Sequence, residues 1–203
     1  PWLRLIGWTA VAAAPAYSAG RQQMFTIEHV TDAATGESHW SILNDFAPLP
    51  EGVERLADWR MDALPHSKRK RWLAPAADMA GLQPPAIEVM GRSAVDGARA
   101  VTLRLSPNGA ESIVLLAPEH AQIRAAGTSG FVRPADQAHD HQYLLRCFGR
   151  SCENLVMEIV IGKAEPVELI LVGSRRTLPP GAAPLIEARP RLARPQYAPD
   201  ATL

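Results

Sequence analysis

The sequence predicts an all-β fold, namely an antiparallel β-sandwich with short helical or irregular insertions and an extended, proline-rich C-terminal tail. Two observations support this class. Apolar and polar residues alternate along short segments such as Val101–Leu105 and Met157–Ile161, which is the pattern of a strand with one buried face. Turn-forming residues, mostly glycine and proline, separate these segments at regular intervals, as in sandwich domains.

Three glycine-containing turns connect the first predicted strands. Each glycine follows Thr, Asp or Asn, and Asp-Gly is a preferred sequence of two-residue hairpins. In chain order, Thr35–Gly36 joins Phe25–Val30 to His39–Leu43, Asp96–Gly97 joins Ile87–Met90 to Val101–Leu105, and Asn108–Gly109 leads into Ser112–Leu116. The later predicted strands are Gln142–Cys147, Leu155–Ile161 and Val167–Val172, and one or two helical turns are predicted within Gly52–Trp59.

Two proline pairs, Pro84–Pro85 and Pro179–Pro180, mark predicted boundaries. The predicted parts are the end of a transmembrane helix or a membrane-proximal linker over 1–20, an N-terminal β region packed on the main domain over 21–83, the β-sandwich over 84–178, and the tail over 179–203. The apolar residues 1–14 are fewer than the ~20 that span a bilayer. An ordinary N-terminal helix packed on the domain is the alternative for this segment.

The charge balance argues against a nucleic-acid partner. Lys plus Arg and Asp plus Glu both total 21, so no net field attracts a polyanion. The densest basic run, Lys68–Arg71, is predicted to be a solvated surface turn, with phosphate contact as the alternative. Hydrophobic residues make up 47% of the chain, which is enough to build a core.

The two cysteines, Cys147 and Cys152, have the spacing of a small disulfide loop, with Gly149 available for a tight turn. A disulfide indicates an oxidising compartment such as the periplasm. The alternative is a pair of buried thiols in a reduced protein. A zinc site would need two further ligands, and a redox motif would have two intervening residues instead of four.

Sequence signatures of catalysis are absent, so no catalytic, metal-binding or cofactor-binding residue is predicted in this segment. His139–His141 resembles a pair of metal ligands, but a polar loop is the prediction because no third ligand stands beside it. A stand-alone enzyme would need polar groups that converge. Glu28, His29 and His39 are the candidates for such a cluster across the first hairpin, joined by Asp32 or Asp45.

Five of the twelve aromatic residues are tryptophans. If exposed, Trp40, Trp59 and Trp72 would suit a carbohydrate- or envelope-binding surface. Tryptophans of a sandwich more often belong to its core, which is the competing interpretation. Solvent exposure of the three rings distinguishes the two.

Several segments, taken in order, resemble the C-terminal region of membrane-bound bacterial zinc exopeptidases of metallopeptidase family twenty-eight, relatives of the endoplasmic reticulum metallopeptidase. The similar segments are Pro15–Ser18, Phe25–Val30, Arg71–Pro75, Gly130–Pro134, Gly149–Cys152 and Ala193–Tyr197. They span nearly the whole chain. These segments are typical of the sequences of this family, but they are not motifs that carry a particular chemistry.

This resemblance implies an N-terminal peptidase domain with two zinc ions held by His, Asp and Glu, several transmembrane helices, and then this domain in the periplasm of a bacterial inner-membrane protein. The family's zinc site includes a His-x-Asp pair, and none of the six histidines here has Asp two positions on. No catalytic residue is therefore carried over to this segment. Residues 1–14 correspond to the end of the last membrane helix, and the zinc is expected in the peptidase domain.

The predicted function is therefore that of a non-catalytic accessory domain of a membrane-bound zinc-dependent exopeptidase, which assists substrate access or domain assembly. Its expected partners are the peptidase domain of the same chain, a peptide substrate, and the membrane through the preceding transmembrane segment. The alternative is a carbohydrate- or envelope-binding sandwich.

Overall fold

The structure, a computed structural model, describes residues 17–135, 141–162 and 167–203. It consists mostly of antiparallel strands with a few short helices, which confirms the predicted all-β, sandwich-like class. The strands are β1 Gln23–Met24, β2 Thr26–Thr31, β3 Ser38–Leu43, β4 Arg60–Leu64, β5 Ser67–Pro75, β6 Ala86–Val95, β7 Ala98–Ser106, β8 Ser112–Pro118, β9 Ile123–Thr128, β10 Arg133–Pro134, β11 His141–Phe148, β12 Leu155–Ile161, β13 Ile170–Ser174, β14 Ala193–Arg194 and β15 Ala201–Thr202. The α-helices are α1 Glu51–Glu54 and α2 Ala183–Ala188, and 3-10 turns cover Glu119–Ala121, Gly149–Cys152 and Pro180–Ala182.

The sandwich pairs a five-stranded sheet with a three-stranded sheet. The strand order is β10-β9-β12-β7-β6 in the first and β11-β8-β13 in the second, with antiparallel neighbours throughout. The predicted alternation is confirmed, because Val101, Leu103 and Leu105 of β7 and Met157, Ile159 and Ile161 of β12 point into the core between the sheets. Fully or nearly fully buried members of this core are Leu103, Leu105, Ile113, Leu115, Ile123, Met157 and Ile159.

The β6–β7 hairpin turns at Asp96–Gly97, as the sequence predicts. Asp96 has φ of 43° and Gly97 has φ of 70°, and two successive positive φ angles are what a two-residue turn between right-twisted strands requires. Asn108 and Gly109 also have positive φ, at 47° and 83°. Both turns therefore follow from residues that tolerate the left-handed region.

The second sheet system joins the two ends of the described chain. Five strands lie in the order β15-β2-β3-β5-β4, and β1 pairs separately with β14. A hydrophobic core on one face of this N-terminal sheet contains residues from β2, β3, α1 and α2. Its buried members are Phe25, Ile27, Ile42, Val53, Leu185 and Ala193.

The C-terminal tail docks on this N-terminal sheet. Strand β14 pairs in parallel with β1, and β15 pairs in parallel with β2. Asp200 Oδ1 accepts a hydrogen bond of 2.8 Å from the Ile27 backbone N–H, and Ala201 and Thr202 are buried. The tail also contains the short helix α2, so it is not extended throughout. The sandwich is thus inserted between two parts of the chain that pack together.

The basic run Lys68–Arg71 was predicted to be a solvated turn, and this prediction is wrong. The run lies within strand β5, and Arg71 is only 6% exposed. The reason is a long-range partner, because the Arg71 guanidinium faces the Glu28 carboxylate of β2. Lys68, Arg69 and Lys70 remain exposed.

Replacing Gly127 with alanine should destabilise the sandwich. A Cβ at this position in β9 would lie 2.2 Å from the carbonyl oxygen of Phe131, so the turn after β9 would have to shift. We expect a loss of about 1–3 kcal/mol in the free energy of unfolding. The matched control is Gly91→Ala in β6, where nothing lies within 4 Å. Urea unfolding of both variants checks this, and equal stabilities would contradict the close approach.

Candidate functional site

No metal-binding cluster is found in the part of the chain that the structure describes. Within these residues, no group of three or more His, Cys, Asp or Glu side chains could hold a metal ion. His139 and Asp140 of the predicted polar loop lie outside the described residues, and only the strand position of His141 is described. The structure therefore provides no metal centre from which to derive chemistry.

The candidate cluster across the first hairpin does not converge. Glu28 and His29 are consecutive residues of β2, so their side chains project from opposite faces of the sheet. His29 is fully buried, its Nε2 lies 2.9 Å from the Ala77 carbonyl oxygen, and its ring meets Trp40 edge-on at 5.0 Å. His39 lies opposite Val30 on the face that Glu28 occupies.

The two aspartates considered with this cluster have local partners. Asp32 Oδ1 accepts a hydrogen bond from the Ala34 N–H, and Asp45 forms an ion pair with Arg69. The residues that a stand-alone enzyme would need to bring together therefore contact different partners in different places.

A buried polar cluster lies on the Glu28 face of the N-terminal sheet. The Arg71 Nη1 donates to Glu28 Oε2 at 2.5 Å, and the Ser41 hydroxyl donates to the same oxygen at 2.9 Å. Arg71 Nη2 also contacts the Ser67 hydroxyl at 3.1 Å. These groups use one another as partners, so the cluster fastens β2, β3 and β5 together and offers no free nucleophile or base.

The three tryptophans considered as a binding surface are half-buried and pack against the core of the N-terminal sheet. Trp59 Nε1 donates to the Val53 carbonyl and Trp72 Nε1 donates to the Ala47 carbonyl, each at 3.0 Å. Trp40 contacts His29. The indole N–H groups of Trp59 and Trp72 thus have hydrogen-bond acceptors within the chain. The partial burial of all three rings favours their assignment to the core.

The predicted disulfide between Cys147 and Cys152 is confirmed, with the two Cα atoms 5.4 Å apart. Both residues are buried in the sandwich core. Gly149 adopts φ of 57° between them, a left-handed conformation that glycine accepts without steric cost. The bond ties the end of β11 to the turn that starts β12.

Removing this disulfide should lower the free energy of unfolding by about 2 kcal/mol, because it closes a short loop of the unfolded chain. The measurement is urea unfolding with and without reductant. The Cys147→Ala/Cys152→Ala variant is the control, since reductant should not change its midpoint. A wild-type protein whose mass and thiol titration show two free thiols after purification under oxidising conditions would contradict the bonded state.

An open depression of about 350 Å³ lies where the sandwich meets the segment that precedes it. Its one charged lining residue is Arg175, whose guanidinium donates to the carbonyl oxygens of Gln83 at 3.0 Å and Asn108 at 2.7 Å. Arg175 thus links the loop that contains Gln83 to the turn that contains Asn108. The depression therefore has no evident reactive or charged group free for a ligand.

The unequal sizes of the two sandwich sheets leave one strand uncovered. Strand β11 lies against β9, and at the other side Pro85, just before β6, lies against Gly173 of β13. With β11 against β9, the strands β11, β8 and β13 reach as far as β7, and β13 meets the β6 side at Pro85. Beyond Pro85, β6, which is the last strand of the larger sheet, has no described strand of the smaller sheet against it. Among the described residues, Ile170–Ser174 of β13 pair only with β8, so the outer edge of β13 has no strand partner over this range. Just beyond the strand, Arg175 bridges Thr202 of β15.

Two residues of β6 show the consequence. Ile87 lies opposite Leu105 and Val89 lies opposite Leu103, both of which are core residues. Side chains of directly opposite residues share a face, so Ile87 and Val89 point toward the three-stranded sheet. Ile87 is partly buried against the core, but Val89 is 46% exposed. In the part of the chain that the structure describes, no strand of the smaller sheet lies over this inward-facing valine, so it is left in solvent.

We name this open space the β6–β13 slot. It is bounded by Ile87 and Val89 on β6 and by the free edge of β13, where the inward-facing Leu171 is partly exposed. The outer edge of β6 is different, because a β-bulge interrupts its register between Val89 and Gly91. The sequence does not predict the slot, because the slot depends on how many strands each sheet contains.

Helices long and apolar enough to cross a membrane do not occur in the described residues. Comparison of the chain with protein-family models, with curated proteins and with solved structures finds no match. The geometry of the slot and the disulfide are the observations on which a function can be argued.

Proposed function

We propose that this chain is a non-catalytic accessory domain of a membrane-bound zinc exopeptidase of the bacterial inner membrane, and that it engages extended polypeptide on the periplasmic side. The observation that carries the proposal is the β6–β13 slot, where a free strand edge stands beside exposed, inward-facing apolar residues. The family resemblance of the sequence supplies the parent enzyme. The disulfide supports an oxidising compartment.

An open strand edge suits the substrates of such an enzyme. An extended peptide can satisfy its backbone groups on a sheet edge whatever its sequence, while pockets for alternate side chains add preference. The family resemblance assigns the zinc to the peptidase domain. The domain would therefore act on how long substrates approach the peptidase domain and not on the hydrolysis step.

The experiment that tests this proposal compares the zinc-loaded full-length membrane protein with and without residues 21–203. We expect the truncated protein to lose activity toward long unblocked peptides and to keep its activity on dipeptides. Unchanged activity on both substrate classes would contradict a role in substrate handling. Hydrolysis of either class by the zinc-loaded 203-residue chain alone would contradict the non-catalytic assignment.

A further inference from the structure

We propose that the β6–β13 slot binds an extended peptide from a partner chain as a fourth strand of the three-stranded sheet. The peptide pairs its backbone with the free edge of β13 and places alternate apolar side chains on β6. This inference rests on the proposed function and specifies the peptide that the domain takes.

The dimensions of the slot favour one extended strand as its occupant. Neighbouring strands are spaced about 4.8 Å apart, and the two sheets of a sandwich pack about 10 Å apart. The three-stranded sheet ends one strand before the five-stranded sheet does. One added strand beside β13 therefore covers β6, whereas a helix about 10 Å across would be too wide to occupy a single strand position.

The side chains that line the slot set the pattern of the peptide. Val89 and Ile87 of β6 and Leu171 of β13 all point toward the space between the sheets. A strand presents every second side chain to one face. The bound peptide should therefore carry apolar residues at alternate positions, and these would bury the exposed surface of Val89.

The two ends of the slot differ in charge. Arg92 lies opposite the core residue Val101, so by register it is on the same inward face as Val89, nearer the β6–β7 turn. Arg92 is exposed. Glu88 lies on the other face, where it pairs with Arg104. A peptide with a carboxylate at the end near the turn would thus complement Arg92.

The edge of β6 itself is a poorer site for strand addition. Its ladder is broken by the bulge between Val89 and Gly91, and bulges are a common device that prevents edge-to-edge pairing. The register of β13 with β8 is regular over Ile170–Ser174. The added strand is therefore placed beside β13, and a dimer formed through β6 is an outcome that the test must exclude.

The test measures binding of fluorescein-labelled heptapeptides to the 203-residue chain by fluorescence anisotropy. One peptide alternates Val and Thr, and a second has the same composition with its Val residues contiguous. The key variant is Val89→Asp, and its matched control is Val95→Asp. Val95 is the same residue type on the same strand with similar exposure, 41%, but the register places it on the outward face.

We expect the alternating peptide to bind more tightly than the contiguous one. Val89→Asp should weaken binding of the alternating peptide roughly tenfold or more, because the new carboxylate would be buried against apolar side chains. Val95→Asp should leave it unchanged. Arg92→Gln should weaken binding about two- to fivefold, and only for a version of the peptide that ends in Asp, as expected for an exposed ion pair.

Equal effects of Val89→Asp and Val95→Asp on peptide affinity would contradict peptide binding in the slot. Equal affinity for the two peptides would contradict it as well. A melting temperature lowered by Val89→Asp without peptide would also overturn it, because the slot would then be filled by this chain itself. If the chain self-associates, the peptide competes with this association and Val89→Asp weakens it, then a second copy of the chain, and not a peptide, occupies the slot. The deletion experiment on the full-length enzyme is independent of these outcomes, so the accessory role can survive loss of the slot.

Discussion

Replacing Arg71 with methionine should lower the free energy of unfolding by about 3–5 kcal/mol, because it leaves the Glu28 carboxylate buried without its cationic partner. The two side chains are only 6% and 12% exposed, and their closest atoms are 2.5 Å apart. Ser41 would remain as a hydrogen-bond donor to the carboxylate. One neutral hydroxyl cannot replace a guanidinium as the partner of a buried negative charge.

Urea unfolding followed by tryptophan fluorescence measures this loss. The double variant Glu28→Gln/Arg71→Met should recover part of the stability, because it removes both charges together. Glu51→Gln is the control, because Glu51 of α1 forms an exposed ion pair with Arg55, the residue just after the helix, and its effect should be at most about 0.5 kcal/mol. A loss below 1 kcal/mol for Arg71→Met would contradict the buried ion pair.

The second large effect is expected for Asp200→Ala, at about 2–4 kcal/mol. Asp200 Oδ1 accepts the Ile27 N–H, and its Oδ2 pairs with the Arg189 guanidinium at 2.5 Å. Both side chains of the pair are largely buried. The substitution therefore leaves the Ile27 N–H without its acceptor and the Arg189 guanidinium without its anionic partner at the point where the tail joins β2.

Asp62→Ala is the matched control, because Asp62 is exposed and accepts a hydrogen bond only from its own neighbour, Ala63 N–H, among the contacts recorded. Its effect should stay within about 0.5 kcal/mol. Urea unfolding and limited proteolysis of both variants test the difference. Cleavage of the tail in Asp200→Ala but not in Asp62→Ala is the expected pattern, and equal behaviour of the two would show that Asp200 does not fasten the tail.

Local features of the fold could be predicted from sequence because their causes are local. Asp96–Gly97 determines the β6–β7 hairpin through two residues that tolerate positive φ. Alternation along Val101–Leu105 identifies the buried face of β7. Cys147 and Cys152 are close enough in sequence for their spacing alone to indicate the disulfide.

Long-range features could not be predicted in this way. The contact between Asp200 and Ile27 joins residues 173 positions apart, and strands of two residues such as β14 and β15 have no periodicity to detect. Arg71 appears in a basic run whose neighbours are solvated, so nothing beside it signals a partner on β2. The slot is visible only after the strands of both sheets have been ordered.

Hydrogen–deuterium exchange of the 203-residue chain, with and without the alternating Val-Thr heptapeptide, tests the central claim most directly. Alternate amides of Ile170–Ser174 face the free edge of β13, so they should exchange rapidly in the free chain and become protected when peptide binds. Protection should also extend to the Ile87–Val89 part of β6, and it should spare the β4 edge of the N-terminal sheet. Binding that leaves β13 unprotected, or that protects β4 instead, would contradict the assignment of peptide binding to the β6–β13 slot.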